Sequence, residues 1–299
     1  MTLTGEQYRI IAGDHDATIV EVGAGLRRYT HRGRDVTFGY HENELTPKGC
    51  GAVLVPWPNR IRAGRYTFDG ADYQLALTEV ARGNASHGLA RWARWLAVRH
   101  TTDSVTLGLD VVPQPGWPFE LRVEVTYALD ARTGLSVSTV ARNTGMRRLP
   151  FGIGFHPYVA IGHEPLSAVS VRLAAAERLV TDDASIPVGK RAVAATPYDL
   201  SGGGRLGRLR LDDAFTGLAR DGGRTNVVVR AGRGTGARLW LDERFGYVQV
   251  FTAEVLAHGA GGVAVEPMTC PADAFNSGDG LLVLEPDARW SGTWGIAPL

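Results

Sequence analysis

The stretch Leu121 to Gly145, LRVEVTYALDARTGLSVSTVARNTG, decides the fold. Leu121, Val123, Val125, Tyr127 and Leu129 alternate with Arg122, Glu124 and Thr126, the period of two that a strand with one buried face imposes. Asp130 to Gly134 then supplies turn residues, and Leu135 and Val137 resume the alternation, so the spacing predicts an antiparallel hairpin. The same period recurs at ATIVEVG (17–23), SVTLGLDVV (104–112), NVVVRAG (226–232), ARLWLDE (237–243) and YVQVFTAEV (247–255). Turn residues separate these runs, as 38 glycines and 15 prolines allow. The strongest helical candidate, VRLAAAERLVTDD (171–183), is short and set among strands, so helix is not the favoured reading there. No repeat, heptad, low-complexity tract or linker interrupts the pattern. The expectation is an all-β chain forming one large antiparallel β-sandwich domain over residues 1–299.

Composition bounds the function. The 299 residues are 44% apolar and 21% charged with a formal net charge of +1, which implies neither a nucleic-acid partner nor a membrane surface. Cys50 and Cys270 lie far apart without C-x-x-C spacing and read as buried thiols of a reducing compartment. The first residues carry no basic and apolar leader pattern, and no run approaches ~20 apolar residues, so a cytoplasmic protein is expected.

Four segments set polar side chains in rigid, Gly- or Pro-rich surroundings, the usual place for a site on a scaffold. VPWPNRIRAGRYTFDG (55–70) places Arg60 behind a stiff Trp-Pro-Asn stretch, where its fork of donors is held for a polar ligand and Trp57 offers a flat wall. Taken alone, this stretch reads more plainly as a solvated loop with a half-buried tryptophan. NASHGLARWARW (84–95) carries His87, LPFGIGFHPYV (149–159) carries His156, and VEPMTCPADAFNSG (265–278) carries Glu266 and Asp273. A histidine can deliver a proton near neutral pH and a carboxylate can take one. Glu266 follows the apolar run Val263 to Val265, so its carboxylate must be paired, hydrogen-bonded or protonated. Asp212, in LRLDDAFTGL (209–218), has the same ambiguity in a weaker context, where a turn aspartate is the plainer reading. A two-histidine, one-carboxylate metal site from His87, His156 and Glu266 lacks any local ligand pair, so no metal is expected. Serine elbows, P-loops and dinucleotide fingerprints are absent, and no cofactor is implied.

In this order the segments resemble the aldose 1-epimerase (mutarotase) family, and its less characterised bacterial branch most of all. The likeness extends to GWPFELRVEVTYAL, NTGMRRLPFGIGFHPYV, LDDAFTGL, YVQVFTAE and VEPMTCPADAFNSGDGLLVLEP. The resemblance implies a galactose mutarotase-like supersandwich and the exchange of α and β anomers of a free aldose without a cofactor. By position, Glu266 resembles the general base at the C1 hydroxyl, and His156 the general acid at the ring oxygen. His87 resembles the second histidine that binds and polarises the sugar, while Arg60 and Asp212 resemble the hydroxyl-binding pair, with Trp57 as a wall. Ring opening needs one group to take the O1 proton while another protonates the ring oxygen, which matches this division. The flanks NASHG and GFHPY differ from those of the galactose mutarotases, so the sugar cannot be transferred. Two alternatives stand beside this reading: a phosphorylated-sugar epimerase with Arg62, Arg65, Arg91 and Arg94 as a clamp, and a noncatalytic sugar-binding protein. The resemblance leaves Arg62 and Arg65 without a role, and the chain is expected to be a monomer or homodimer.

Overall fold

A computed structural model describes residues 2–232 and 235–299. Among these, the strands form two eight-stranded sheets, one four-stranded sheet and three two-stranded pairings, and every named strand pair is antiparallel. The hairpin read from sequence is present as strands Leu121–Asp130 and Gly134–Asn143, paired from Leu121 opposite Asn143 to Asp130 opposite Gly134. Leu121, Val123, Val125, Tyr127 and Leu129 of the first strand are buried in strict alternation, because one face of the sheet packs on the core and the other meets solvent.

The first large sheet runs in the order Leu96–His100, Ser104–Val111, Leu121–Asp130, Gly134–Asn143, Arg289–Pro298, Thr235–Leu241, Thr225–Ala231, Ser170–Leu173. The second runs Pro187–Ala192, Ala175–Thr181, Asp212–Leu218, Tyr247–Ala257, Ala260–Met268, Gly154–Phe155, Val53–Leu54, with Tyr158–Ala160 also on Ala260–Met268. One core joins their inner faces. Val123, Val137, Val227 and Leu239 of the first share it with Phe215, Val248, Val250, Val263 and Val265 of the second. This is a β-sandwich, held by the burial of two alternating apolar faces.

VRLAAAERLVTDD is strand and not helix. Ser170–Leu173 pairs with Thr225–Ala231 in the first sheet, and Ala175–Thr181 pairs with two strands of the second. Helix propensities differ by only tenths of a kcal/mol per residue, so two sheets offering open ladders decide the matter. Among the described residues no helix is long and apolar enough to cross a membrane.

The alternation that buries one face of the second sheet exposes the other to function. Val248, Val250 and Val265 point into the core, so Gln249, Phe251 and Glu266 point the opposite way. Asp212 lies opposite Phe251 on the next strand, and Glu266 lies opposite Gln249.

Candidate active site

The outer face of the second sheet floors a cleft of about 380 Å³ lined by Asn59, Arg60, Glu79, His87, His156, Tyr158, Asp212, Gln249, Phe251 and Glu266, with Lys48 and Arg82. Of the six residues to which the resemblance gives a site role, Arg60, His87, His156, Asp212 and Glu266 line this one cleft. Trp57 does not. It is 3% exposed and packs against Trp117 and Phe275 at ring-centroid distances of 6.5 and 5.9 Å. The aromatic surfaces inside the cleft belong to Tyr158 and Phe251. The expectation that Trp57 forms the wall is corrected: apolar burial claims the indole, and the stiff segment it anchors delivers Arg60 instead.

Strand register brings His156 to Glu266. Gly154 lies opposite Met268 and Tyr158 opposite Ala264, so His156 stands at the midpoint, across from Glu266. The imidazole Nε2 is 3.4 Å from Glu266 Oε1, and both side chains are almost wholly buried. The ring of His156 stacks on Tyr158, with centroids 5.0 Å apart and planes inclined by 15°.

His87 arrives by a different route. Strand Arg60–Arg62 pairs with Asn84–Ser86, with Arg60 opposite Ser86, so the residue after Ser86 turns into the cleft beside Arg60. That turn places His87 at φ 62 and Gly88 at φ 70, and the His87 amide donates to the Asn59 carbonyl at 2.7 Å. A side chain at position 88 would collide with the Val55 carbonyl, which is why glycine follows this histidine. The left-handed backbone at a non-glycine residue is strain of the kind that collects at functional positions. The His87 and His156 rings meet edge to face, with centroids 5.5 Å apart.

Electrostatics separate these groups from ordinary surface residues. Glu266 is pushed well above the usual carboxylate range, first by burial and then by Asp212, with Arg60 opposing. His156 is driven down to about 3, chiefly by burial and also by the Arg91 charge. His87 falls well below its ordinary value through burial, His156, Arg91 and Arg60 in that order. Burial thus favours the neutral form of each group, the protonated carboxyl of Glu266 and the uncharged imidazole of His156. Among the described residues, Glu266 Oε2, His87 Nδ1 and His156 Nδ1 are buried without a hydrogen-bond partner, unmet polar capacity concentrated at this one site.

Asp212 is exposed at the edge of the cleft, and its Oδ1 accepts from Gln249 Nε2 at 2.7 Å. Asp273 serves the scaffold: its amide donates to the Arg60 carbonyl and its Oδ1 accepts from the Arg62 amide. Of the four arginines weighed as an anion clamp, only Arg91 acts on the site: it is partly buried and its charge bears on His87 and His156, though it does not line the cleft. Arg62 pairs with Asp182 at 2.8 Å, Arg65 donates to Gln74 and Arg94 pairs with Glu21, all three exposed and outside the cleft lining. Sequence reasoning missed Glu79, Tyr158, Gln249 and Phe251. The signal for Gln249 and Phe251 was present, since they occupy the off-core phase of an alternating strand. Glu79, in LALTEVARGN, carries no local signal. Among the described residues no group of three or more His, Cys, Asp or Glu is arranged to hold a metal ion.

Fold and site together define an antiparallel β-sandwich with one polar cleft lined by two histidines and a buried carboxylate. The chain belongs to the aldose 1-epimerase family, whose model matches residues 6–297. It is 35% identical over 285 residues to the uncharacterized protein YihR of Escherichia coli K12, covering 95% of this chain and 91% of that one. It is also 31% identical over 189 residues to the galactose mutarotase of Sus scrofa, a match that spans about half the length of that protein: 59% of this chain and 53% of that one. In fold it is similar to a GalM/aldose epimerase homologue from C. elegans, with a TM-score of 0.85 at 19% identity over 98% of this chain and 99% of that one.

Proposed function

We propose that this protein interconverts the α and β anomers of a free aldose by acid–base ring opening and closure, without a cofactor, within one domain spanning residues 1–299. The observation that carries the reading is the juxtaposition of His156 and Glu266 at 3.4 Å beside His87, reached from three separate chain segments. In the first step Glu266 takes the proton of the C1 hydroxyl, the C1–O1 bond becomes a carbonyl, the bond from C1 to the ring oxygen breaks, and His156 delivers a proton to that oxygen. Rotation about C1–C2 presents the other aldehyde face, and closure with the transfers reversed gives the other anomer. Two proton transfers need one proton held between two groups, and a carboxylate with an imidazolium is the same one-proton state as a carboxyl with an imidazole. Sugar hydroxyls donating to Oε2 of Glu266 favour its ionised form and so shift the proton to His156.

His87 binds near the ring oxygen, Arg60 and Asp212 hold the hydroxyls, and Phe251 and Tyr158 supply the apolar walls. The relatives named galactose mutarotase make galactose the first sugar to try. A second reading, a phosphorylated aldose, is favoured by Lys48 and Arg82 in the cleft lining. Both are tested by following freshly dissolved single anomers of D-galactose, D-glucose and their 6-phosphates by NMR exchange, with the spontaneous rate subtracted. Catalysed exchange of a neutral sugar supports the first reading, and exchange of the phosphates alone supports the second. Binding without exchange makes the protein a noncatalytic sugar binder.

A further inference from the structure

Arg60 does not reach the cleft as a free fork. Its Nε donates to Glu79 Oε2 at 2.7 Å and its Nη2 to Glu79 Oε1 at 3.0 Å, while its Nη1 donates to Asn59 Oδ1 at 3.0 Å. A guanidinium has five N–H donors, so among the described residues three are committed and two remain. Glu79 is more fully occupied still. Besides the two bonds from Arg60 it accepts from Arg82 Nη1 at 2.9 Å and from Asn84 Nδ2 at 3.4 Å, which fills the roughly four acceptor sites of a carboxylate. Burial, the largest single influence, would raise this carboxyl, but the hydrogen bonds and charge of Arg60 together with the hydrogen bonds of Arg82 and Asn84 outweigh it and hold Glu79 below its usual range. The backbone of Glu79 is in turn bridged to Asn84, at the head of the strand that leads into His87.

We propose that Glu79 is the positioning residue of this site: it holds Arg60 so that its two uncommitted N–H groups meet the hydroxyls of the bound aldose, in fixed register with His87. The proposal rests on the aldose reading above. Glu79 lines the cleft but has no acceptor capacity left for a hydroxyl, so it acts through Arg60. The bidentate geometry matters because a guanidinium paired at two points cannot rotate about its long stem, and the entropy of fixing it is spent before the sugar arrives.

The test is a double-mutant cycle with Glu79→Gln, Arg60→Ala and the double variant, reading KM and kcat for anomer exchange of D-galactose and D-glucose. Glu79→Gln should raise KM roughly tenfold with kcat held within about threefold, Glu79→Asp should recover part of the loss, and Glu79→Gln should add nothing in the Arg60→Ala background. If the two effects multiply, or Glu79→Gln lowers kcat at constant KM, Glu79 does not work through Arg60 and the proposal falls while the aldose reading stands. A wild type that exchanges no aldose anomer removes the aldose reading itself, and this proposal with it. Should Glu79→Gln fail to fold, the wild-type protein carries the test by NMR: the Arg60 Nε–H, assigned by its absence in Arg60→Lys, should be protected from solvent exchange. A rapidly exchanging Nε–H would overturn the proposal.

Discussion

Nε2 of His156 lies 3.4 Å from Oε1 of Glu266, two nearly solvent-free side chains brought face to face by the register of strand Ala260–Met268 with the segments on either side of His156. Two titratable groups this close and this buried have to be considered together.

Replacing the carboxylate is the sharpest probe. Glu266→Gln keeps size and much of the hydrogen bonding but cannot accept the C1 proton, so kcat should drop by roughly 10²- to 10⁴-fold, the usual loss for a general base. Binding by Arg60, Asp212 and Phe251 is left in place, and the sugar dissociation constant should change only a fewfold. Anomer exchange at a rate near wild type in this variant would show that Glu266 is not the base.

The pH profile of kcat/KM should be bell-shaped with a wide plateau. Because His156 is pushed down to about 3 and Glu266 well up, the one-proton state of the pair persists across the range where a free histidine titrates. The acid limb should therefore lie well below 6.5. An inflection near 6.5 that disappears in His156→Asn would contradict this assignment.

Stability should respond to the same burial. The folded chain keeps His87 and His156 neutral where the unfolded chain protonates them, so their contribution is complete above about pH 6.5 and is lost as pH falls below it. Glu266 acts in the other direction. Its folded pKa is raised, so stability is complete below about pH 4.3 and declines as pH rises toward the folded value. Thermal melts of Glu266→Gln should show a smaller decline between pH 5 and pH 8 than wild type, and an unchanged decline would mean that the carboxyl is not buried as described.

Trp57→Ala should unfold the protein more readily without a selective loss of sugar binding. Truncating a buried tryptophan costs roughly 3–5 kcal/mol, and this one packs on Trp117 and Phe275 behind the site. Phe251→Ala should do the reverse, raising KM at nearly constant stability, since Phe251 is only partly buried and lines the cleft. Chemical denaturation alongside KM separates the two variants.

Activity should survive exhaustive chelation. Ring opening here needs an acid and a base, and among the described residues no three ligating side chains are grouped to hold a metal. Loss on chelation with recovery on adding a divalent cation would favour the metal reading of His87, His156 and Glu266.

The sequence by itself determined the β class, the hairpin from Leu121 to Asn143 and the residues worth suspecting, because alternation, turn chemistry and a carboxylate ending an apolar run are local properties. Which of those residues share a site was decided only in three dimensions. His156 meets Glu266 through strand register, and His87 reaches them because Ser86 pairs with Arg60. The fate of Trp57 and Arg60 was also tertiary. Burial against Trp117 and Phe275 withdraws the indole from the cleft, and Glu79, 19 residues away, takes up the near side of the guanidinium. None of these three partners lies within residues 55–70, since a side chain's role depends on what the folded chain sets beside it.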